Sequence, residues 1–119
     1  MNAPQTTERK VFNLYSAQEA REALSTAVRL SEQGEVFEVV VNYATGTIEV
    51  TRFFGARTDW RPKLHVTFSI DMVRITVSGR VLRLDLEAVL TAALIDKIEL
   101  YRALERFIRM PVLTDIRVW

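Results

Sequence analysis

Two stretches of alternating apolar and polar residues decide the fold: EVFEVVVNYATGTIEVTRFF at residues 35–54 and LHVTFSIDMVRITVSGRVLRL at residues 64–84. Side chains alternate between the two faces of a strand, so this pattern is typical of a sheet with one buried face. Each break in the alternation falls where a tight turn would restore it. The stretches therefore predict five antiparallel strands joined as a meander with a common apolar face.

Three two-residue turns, at residues 45–46, 71–72 and 78–79, set the predicted register. The first turn leaves Arg52 on the apolar face, opposite Val39. An arginine at that position either reaches solvent near the sheet edge or holds a buried anion. The predicted apolar face contains Phe37, Val39, Val41, Tyr43, Ile48, Val50, Phe54, Leu64, Val66, Phe68, Ile70, Val73, Ile75, Val77, Leu82 and Leu84.

Two helices are predicted to pack on this apolar face. Ser16 and Glu19 have the spacing of a capping box and open an N-terminal helix, which ends at Gly34. Asp85 caps a second helix, which continues unbroken until Pro111 ends it. The predicted fold class is therefore α+β, an antiparallel sheet covered on one face by an N-terminal helix and a long C-terminal helix.

The chain length of 119 residues fits one domain. Residues 1–9 are polar and are predicted to be a disordered tail, whereas residues 10–119 are predicted to form a single α+β domain. Within that domain, residues 10–15 and 112–119 are candidates for short edge strands. The sequence leaves the position of these terminal strands in the sheet open.

The composition restricts the compartment and the chemistry. The chain contains no cysteine, which excludes disulfides, thiolate nucleophiles and zinc knuckles and suits a reducing compartment. Its N-terminal residues have no apolar signal-peptide core, and no apolar run reaches the length of about 20 residues that a membrane span needs. We therefore expect a cytoplasmic protein that does not enter a membrane.

The residues that usually perform catalysis are sparse. His65 is the single histidine, and Ser78 is its cross-strand neighbour in the predicted register, but no nucleophile elbow accompanies them. One histidine makes a poor metal site, and the four glycines stand apart from one another, which excludes a phosphate-cradling loop. The sequence predicts no catalytic residue, no metal and no cofactor, and it favours a protein that is not an enzyme.

Basic residues are concentrated on the sheet and its long connection. Residues 50–83 contain seven basic and two acidic side chains, although the net charge of the chain is only +1. The connection at 55–63 surrounds a tryptophan with cations, and tryptophan with arginine is a common binding pair. The predicted register also sets Arg74 opposite Arg83, a like-charge pair that calls for an anion between them. The candidate residues for an anionic ligand or partner are Arg52, Arg57, Trp60, Arg61, His65, Arg74 and Arg83.

The second helix has a wider apolar face than the sheet alone would need. At 1.5 Å per residue it would be about 40 Å long, longer than the sheet it covers, so part of it is expected to meet a second subunit. The predicted dimer interface contains Leu94, Ile98, Tyr101, Phe107, Ile108 and Trp119. This excess favours a non-catalytic homodimeric binding or regulatory module, with a ligand near the 55–63 connection.

Two alternative functions remain open from the sequence. The polar, basic face of the sheet and the 55–63 connection suit single-stranded nucleic acid, although the pI near 8.1 is modest for such a protein. The sheet could instead curl into a half-barrel against the helices and enclose a small-molecule pocket, with or without catalysis.

Overall fold

The structure is a computed structural model, and it describes residues 6–54, 63–78, 83–108 and 113–118. It confirms the predicted α+β class. The elements in chain order are β1 (Thr6–Asn13), α1 (Ala17–Glu32), β2 (Val36–Asn42), β3 (Thr47–Phe54), β4 (Lys63–Phe68), β5 (Met72–Ser78), α2 (Arg83–Ile95), α3 (Lys97–Ile108) and β6 (Leu113–Val118).

The strands form one sheet in the order β1-β3-β2-β5-β4-β6. All neighbouring pairs are antiparallel except β4 and β6, which are parallel. The sheet therefore departs from a simple meander, in which β4 would lie beside β3. Because β1 occupies the second edge of β3, the β4–β5 hairpin pairs with the other edge of β2 through β5.

Strand β1 begins at Thr6, so the predicted boundary of the tail at residue 9 is wrong. It pairs with β3 along its whole length, from Thr6 opposite Phe54 to Asn13 opposite Thr47. Backbone hydrogen bonds to β3 hold this strand, whereas its first residues are polar on both faces and give no alternation to detect.

The β2–β3 hairpin is shifted by two residues from the predicted register. Asn42 lies opposite Thr47, and its side-chain Oδ1 accepts hydrogen bonds from the backbone N–H groups of Ala44 at 3.0 Å and Thr45 at 3.2 Å. This local turn holds four residues between the strands instead of two. A shift of two keeps every side chain on its predicted face, so Arg52 stays on the apolar face but lies opposite Phe37.

The β4–β5 hairpin is likewise shifted by two residues from the predicted register. Ser69 donates a hydrogen bond to the carbonyl of Met72 from its backbone N–H at 2.7 Å and from its Oγ at 2.9 Å. Phe68 therefore pairs with Val73. Ile70, predicted in the core, lies at the turn with 93% of its surface exposed.

The prediction of a fifth meander strand is wrong at residues 83–84, which are helical. Arg83 and Leu84 belong to α2, so the predicted cross-strand pair of Arg74 with Arg83 does not form. Both edges of β5 are already used, by β2 and β4, which leaves no edge for another strand there. Residues 79–82, including Leu82, lie outside the described residues.

The predicted single C-terminal helix is interrupted between α2 and α3. Asp96 caps α3, because its Oδ1 accepts a hydrogen bond from the backbone N–H of Ile98 at 3.0 Å. Ser16 caps α1 as predicted, with its Oγ accepting from the N–H of Glu19. The other half of the predicted capping box is different, because Glu19 Oε1 accepts from the N–H of Asn13 at 3.4 Å and not from that of Ser16.

The helices pack on one face of the sheet and bury a continuous apolar core there. The opposite face, called the open face below, carries side chains that are mostly half-buried or exposed. The largest fully buried side chains are Phe37, Ile48, Leu64, Ile75, Leu86, Leu100 and Leu104.

Candidate functional site

The predicted ligand residues do not form one site in the part of the chain that the structure describes. Arg52 lies on the helix-covered face of the sheet, whereas His65 and Arg74 lie on the open face. Arg83 is the first residue of α2. Arg57, Trp60 and Arg61 lie outside the described residues.

Arg52 is held by groups of its own chain. Its Nη2 donates to Glu35 Oε1 at 2.6 Å, and its guanidinium lies 4.4 Å from the centre of the Phe54 ring. The side chain is half-buried, and its Nε is buried without a hydrogen-bond partner. The carboxylate of Glu35 therefore provides the counter-charge of Arg52, whose side chain remains partly exposed to solvent.

Arg74 and Arg83 each have a carboxylate nearby. Arg74 Nε lies 3.7 Å from Glu38 Oε2, which also accepts a hydrogen bond from Thr76 Oγ1 at 3.2 Å. Arg83 Nε lies 3.0 Å from Glu32 Oε1 and pairs with a second glutamate one turn further along α2. The reason given by the sequence for an anion between the two arginines is thus removed.

On the open face, the two arginines whose side chains the structure describes each lie beside a glutamate. Arg9 pairs with Glu49 at 3.8 Å on this face, as Arg74 does with Glu38. Binding of nucleic acid depends on cations that can replace phosphate counterions, and paired arginines provide few. His65 lies opposite Thr76 rather than the predicted Ser78.

A polar cleft between β1 and α1 is the site that the sequence interpretation missed. Two adjoining cavities of about 260 and 450 Å³ make up this β1–α1 cleft, and both are lined by Lys10, Thr26 and Arg29. The remaining lining residues are Glu8 and Phe12 from β1, Gln18, Arg21, Glu22, Ser25 and Leu30 from α1, Gln33 at its end, and Val50 and Arg52 from β3.

A signal for this cleft existed in the sequence. Lys10 lies opposite Val50, so its side chain points to the face that α1 covers, where an apolar residue would be usual. Arg21 and Arg29 lie on the α1 stripe that faces β1. The sequence left the position of the 10–15 strand in the sheet open, so it did not predict the pairing with β3 that brings these residues together.

The interface between the helices and the sheet is closed where the structure describes it. The apolar cavity between α1, α2 and the sheet has a volume of about 10 Å³, barely the space of one water molecule. This packing gives no support to a half-barrel with an internal ligand pocket. Among the described residues, no three histidine or acidic side chains are grouped as metal ligands.

Exposed apolar side chains cluster where α2 meets α3. Lys97 Nζ donates to the carbonyls of Ser69, at 2.9 Å, and Ile70, which ties the β4–β5 turn to the start of α3. The Tyr101 ring stacks on Phe68 with 4.8 Å between centroids. This cluster, called the α3 corner, consists of Ile70, Ile95, Ile98 and Tyr101, which are 93%, 66%, 62% and 45% exposed.

Only some of the predicted dimer-interface residues therefore lie together on one surface. Ile98 and Tyr101 belong to the α3 corner, whereas Leu94 packs against the core and lines the small apolar cavity. The backbone of Phe107 and Ile108 is in α3, but their side chains, and all of residue 119, lie outside the described part. No helix within the described ranges is both long and apolar enough to cross a membrane.

Tyr43 has a raised pKa. Burial raises the pKa of the Tyr43 phenol, and the charge of Asp96 and the nearby Tyr15 raise it further. The phenol donates a hydrogen bond to the carbonyl of Ala93, which joins the end of β2 to α2. Burial at this junction, outside the β1–α1 cleft, is the main cause of the raised pKa.

Comparison with known proteins finds no matching family model, no matching curated protein and no matching solved structure. The class defined by the structure is an α+β protein with one open sheet face. Its candidate surfaces are the β1–α1 cleft and the α3 corner.

Proposed function

We propose that this chain is a non-catalytic binding or regulatory module that works as a cytoplasmic homodimer. The α3 corner carries the proposal, because it places four large apolar side chains on the surface of a single chain. Removing apolar surface from water is the main driving force for association, and such clusters mark interaction sites. The occupant that we expect is a second copy of the chain.

The charges beside the α3 corner favour self-association. The exposed side of α3 carries Glu99 and Glu105 together with Arg102 and Arg106. In a twofold dimer, a contact between two residues is repeated with the partners exchanged. An antiparallel pair of α3 helices with Glu99 opposite Arg106 would therefore form two such contacts and leave no excess charge.

The area that a stable interface needs indicates that residues around the α3 corner must also take part in the dimer. A standard interface buries about 800 Å² per partner. This is roughly a tenth of the 7439 Å² accessible in the single chain. The apolar α3 corner would form the centre of such an interface, and the charged residues of α3 would form its polar rim.

Sedimentation velocity between roughly 1 and 100 μM tests the dimer. The unaltered chain should sediment as a dimer, and Ile98→Asp should shift it to monomer because a carboxylate would be buried at the interface. Val11→Asp is the matched control, since Val11 is 51% exposed on β1, away from the α3 corner. A monomer at the highest concentration, or dimerisation of Ile98→Asp like that of the unaltered chain, would exclude the proposal.

A further inference from the structure

We infer that the β1–α1 cleft binds a small anionic molecule that carries two oxyanion groups, either phosphate or carboxylate. This inference deepens the proposed function by giving the binding module a ligand site. The cleft is built within one chain, so it does not need the dimer.

The cleft contains cations that the fold does not neutralise. Lys10, Arg21 and Arg29 take part in no ion pair among the described residues, whereas Arg9 and Arg52 each pair with a glutamate. The lining holds four basic and two acidic residues in all. Because Arg52 is paired with Glu35 from outside the lining, Lys10, Arg21 and Arg29 are the groups available to a ligand.

Lys10 lies on the helix-covered face of the sheet, but its side chain is exposed to water in the cleft. Its neighbours on the same face of the sheet are Val50 directly opposite, and Phe12 and Glu8 two residues away along β1 in either direction. A charged group directed toward a helix-covered face is costly unless water or a counter-charge meets it. The cleft supplies room for both, with a volume of about 450 Å³ in its wider part.

The positions of the two arginines along α1 leave room for two anionic groups in the cleft. Arg21 and Arg29 are eight residues apart on α1, which corresponds to about 12 Å along the helix axis. Lys10 lines the opposite wall and is shared by both cavities. Guanidinium groups bind phosphate and carboxylate oxygens through paired hydrogen bonds, so each arginine can hold one end of the ligand.

Polar and apolar side chains complete the site. Ser25 offers a hydroxyl group, and Gln33 an amide, along the α1 wall. Phe12 is half-buried and gives the wider part an apolar wall for the carbon skeleton of a ligand. The mixture of a few polar groups with an apolar surface is typical of small-molecule sites.

Titration of the isotope-labelled full chain with pyrophosphate, and separately with the dicarboxylate glutarate, tests the inference. At low ionic strength we expect saturable shifts of the amide signals of β1 and α1. Lys10→Gln and Arg29→Gln should each weaken binding by about tenfold or more, because each removes a charge-assisted hydrogen bond. Binding of pyrophosphate alone would identify a phosphorylated ligand, and binding of both probes a general oxyanion site.

Two matched control variants distinguish binding in the cleft from nonspecific attraction of the probes to the positive charge of the chain. Arg9→Gln removes the same charge from the residue next to Lys10, but its side chain lies on the open face beside Glu49. Arg74→Gln does so on the open face of β5, where Arg74 lies beside Glu38. Both should bind like the unaltered chain. Absence of saturable binding up to about 10 mM, or equal loss in Arg9→Gln and Lys10→Gln, would overturn the inference.

Sedimentation of the same samples separates this inference from the proposed function. A monomer that binds pyrophosphate through Lys10 and Arg29 would support the cleft and exclude the homodimer. A dimer without any saturable probe binding would support the homodimer and exclude the cleft.

Discussion

Two glycines adopt the same left-handed backbone in different surroundings. Gly46 has a φ of 69° and Gly34 a φ of 71°. A Cβ added to Gly46 would lie 2.6 Å from Cε2 of Tyr15, whereas one added to Gly34 would have nothing within 4 Å. Substituting each glycine by alanine therefore separates the energetic cost of a left-handed backbone from the cost of a steric clash.

We expect Gly46→Ala to lower the free energy of unfolding more than Gly34→Ala. The latter should cost about 1 kcal/mol, the usual penalty of a left-handed residue with a side chain. Gly46→Ala should cost about 1 kcal/mol more, because Tyr15 must move and its hydroxyl then loses the bond to the Tyr43 carbonyl. Urea unfolding measures both variants.

The clash at Gly46 can be removed independently. In a Tyr15→Ala background, the difference between the two glycine variants should disappear, since the ring that the new Cβ meets is gone. Equal losses for Gly46→Ala and Gly34→Ala in the unaltered background would show that the clash is relieved without cost.

The raised pKa of Tyr43 makes stability depend on alkaline pH. A phenol in the unfolded chain loses its proton near pH 10. The folded chain keeps the Tyr43 proton to higher pH, because burial and the charge of Asp96 disfavour the phenolate. Unfolding therefore releases a proton above pH 10, and the stability contributed by Tyr43 is complete below pH 10 and lost as the pH rises through the folded pKa.

Tyr43→Phe should reduce this alkaline loss of stability. The free energy of unfolding, measured at pH 9 and pH 11, should fall less between the two values in this variant than in the unaltered chain. Tyr101→Phe leaves Tyr43 in place and should retain the full decline. The same decline in Tyr43→Phe and in the unaltered chain would mean that other groups cause it.

At the scale of elements, one residue explains why the predicted long helix is two helices. The sequence around Asp96 has no proline or glycine, the residues that usually end a helix. Asp96 nevertheless donates its N–H to the carbonyl of Ala92, as a residue at the end of α2, and caps α3 through its side chain. A single aspartate is a weak signal because it also occurs on exposed helix surfaces, although at a cost in helix propensity.

Asp96→Ala should therefore destabilise the chain by about 1 kcal/mol, the usual value of an N-cap. Asp96→Asn is the matched control, because asparagine caps a helix about as well, and it should stay within a few tenths of a kcal/mol of the unaltered chain. Thermal unfolding followed by circular dichroism measures both. An alanine variant as stable as the unaltered chain would show that the cap does not maintain the break.

The strands show how far the sequence could predict the fold. Alternation gave the correct face for the core residues of β2 to β5, because the two-residue errors in both hairpins preserve sidedness. The errors came from turn geometry, which depends on side-chain contacts such as those of Asn42 and Ser69. Alternation also carries no information about which strand edges meet, so the order of the sheet was not predictable.

The candidate site was harder to predict from the sequence than the fold was. Of the cleft residues, Arg52 was identified, but as part of a surface with His65 and Arg74, which lie on the other face of the sheet. Lys10 and Arg29 are far apart in sequence and become neighbours only when β1 joins β3 beneath α1. Sites formed by such pairing require the strand order, which the sequence pattern does not contain.

At the scale of the whole molecule, the strand order determines which parts of the sheet are most protected. Both edges of β2 and β5 are hydrogen-bonded to other strands, whereas β1 and β6 stand at the ends of the described sheet. Backbone hydrogen bonds at the centre open only when much of the sheet opens, while those at an edge can fray alone.

Hydrogen exchange should therefore be slowest in β2 and β5, and slower than in β1 and β6 by about tenfold or more, equivalent to about 1.4 kcal/mol of opening free energy. Successive residues of an antiparallel strand bond alternately to its two neighbours, so every amide of Val36–Asn42 should be protected. In Thr6–Asn13, protected and rapidly exchanging amides should instead alternate, because only β3 pairs with that strand among the described residues. Exchange resolved by nuclear magnetic resonance provides the measurement, with β3 as an internal reference because it also has two neighbours. Alternating protection in β2 would mean that β5 does not lie beside β2. The sheet order would then favour β4 beside β3, as in a meander.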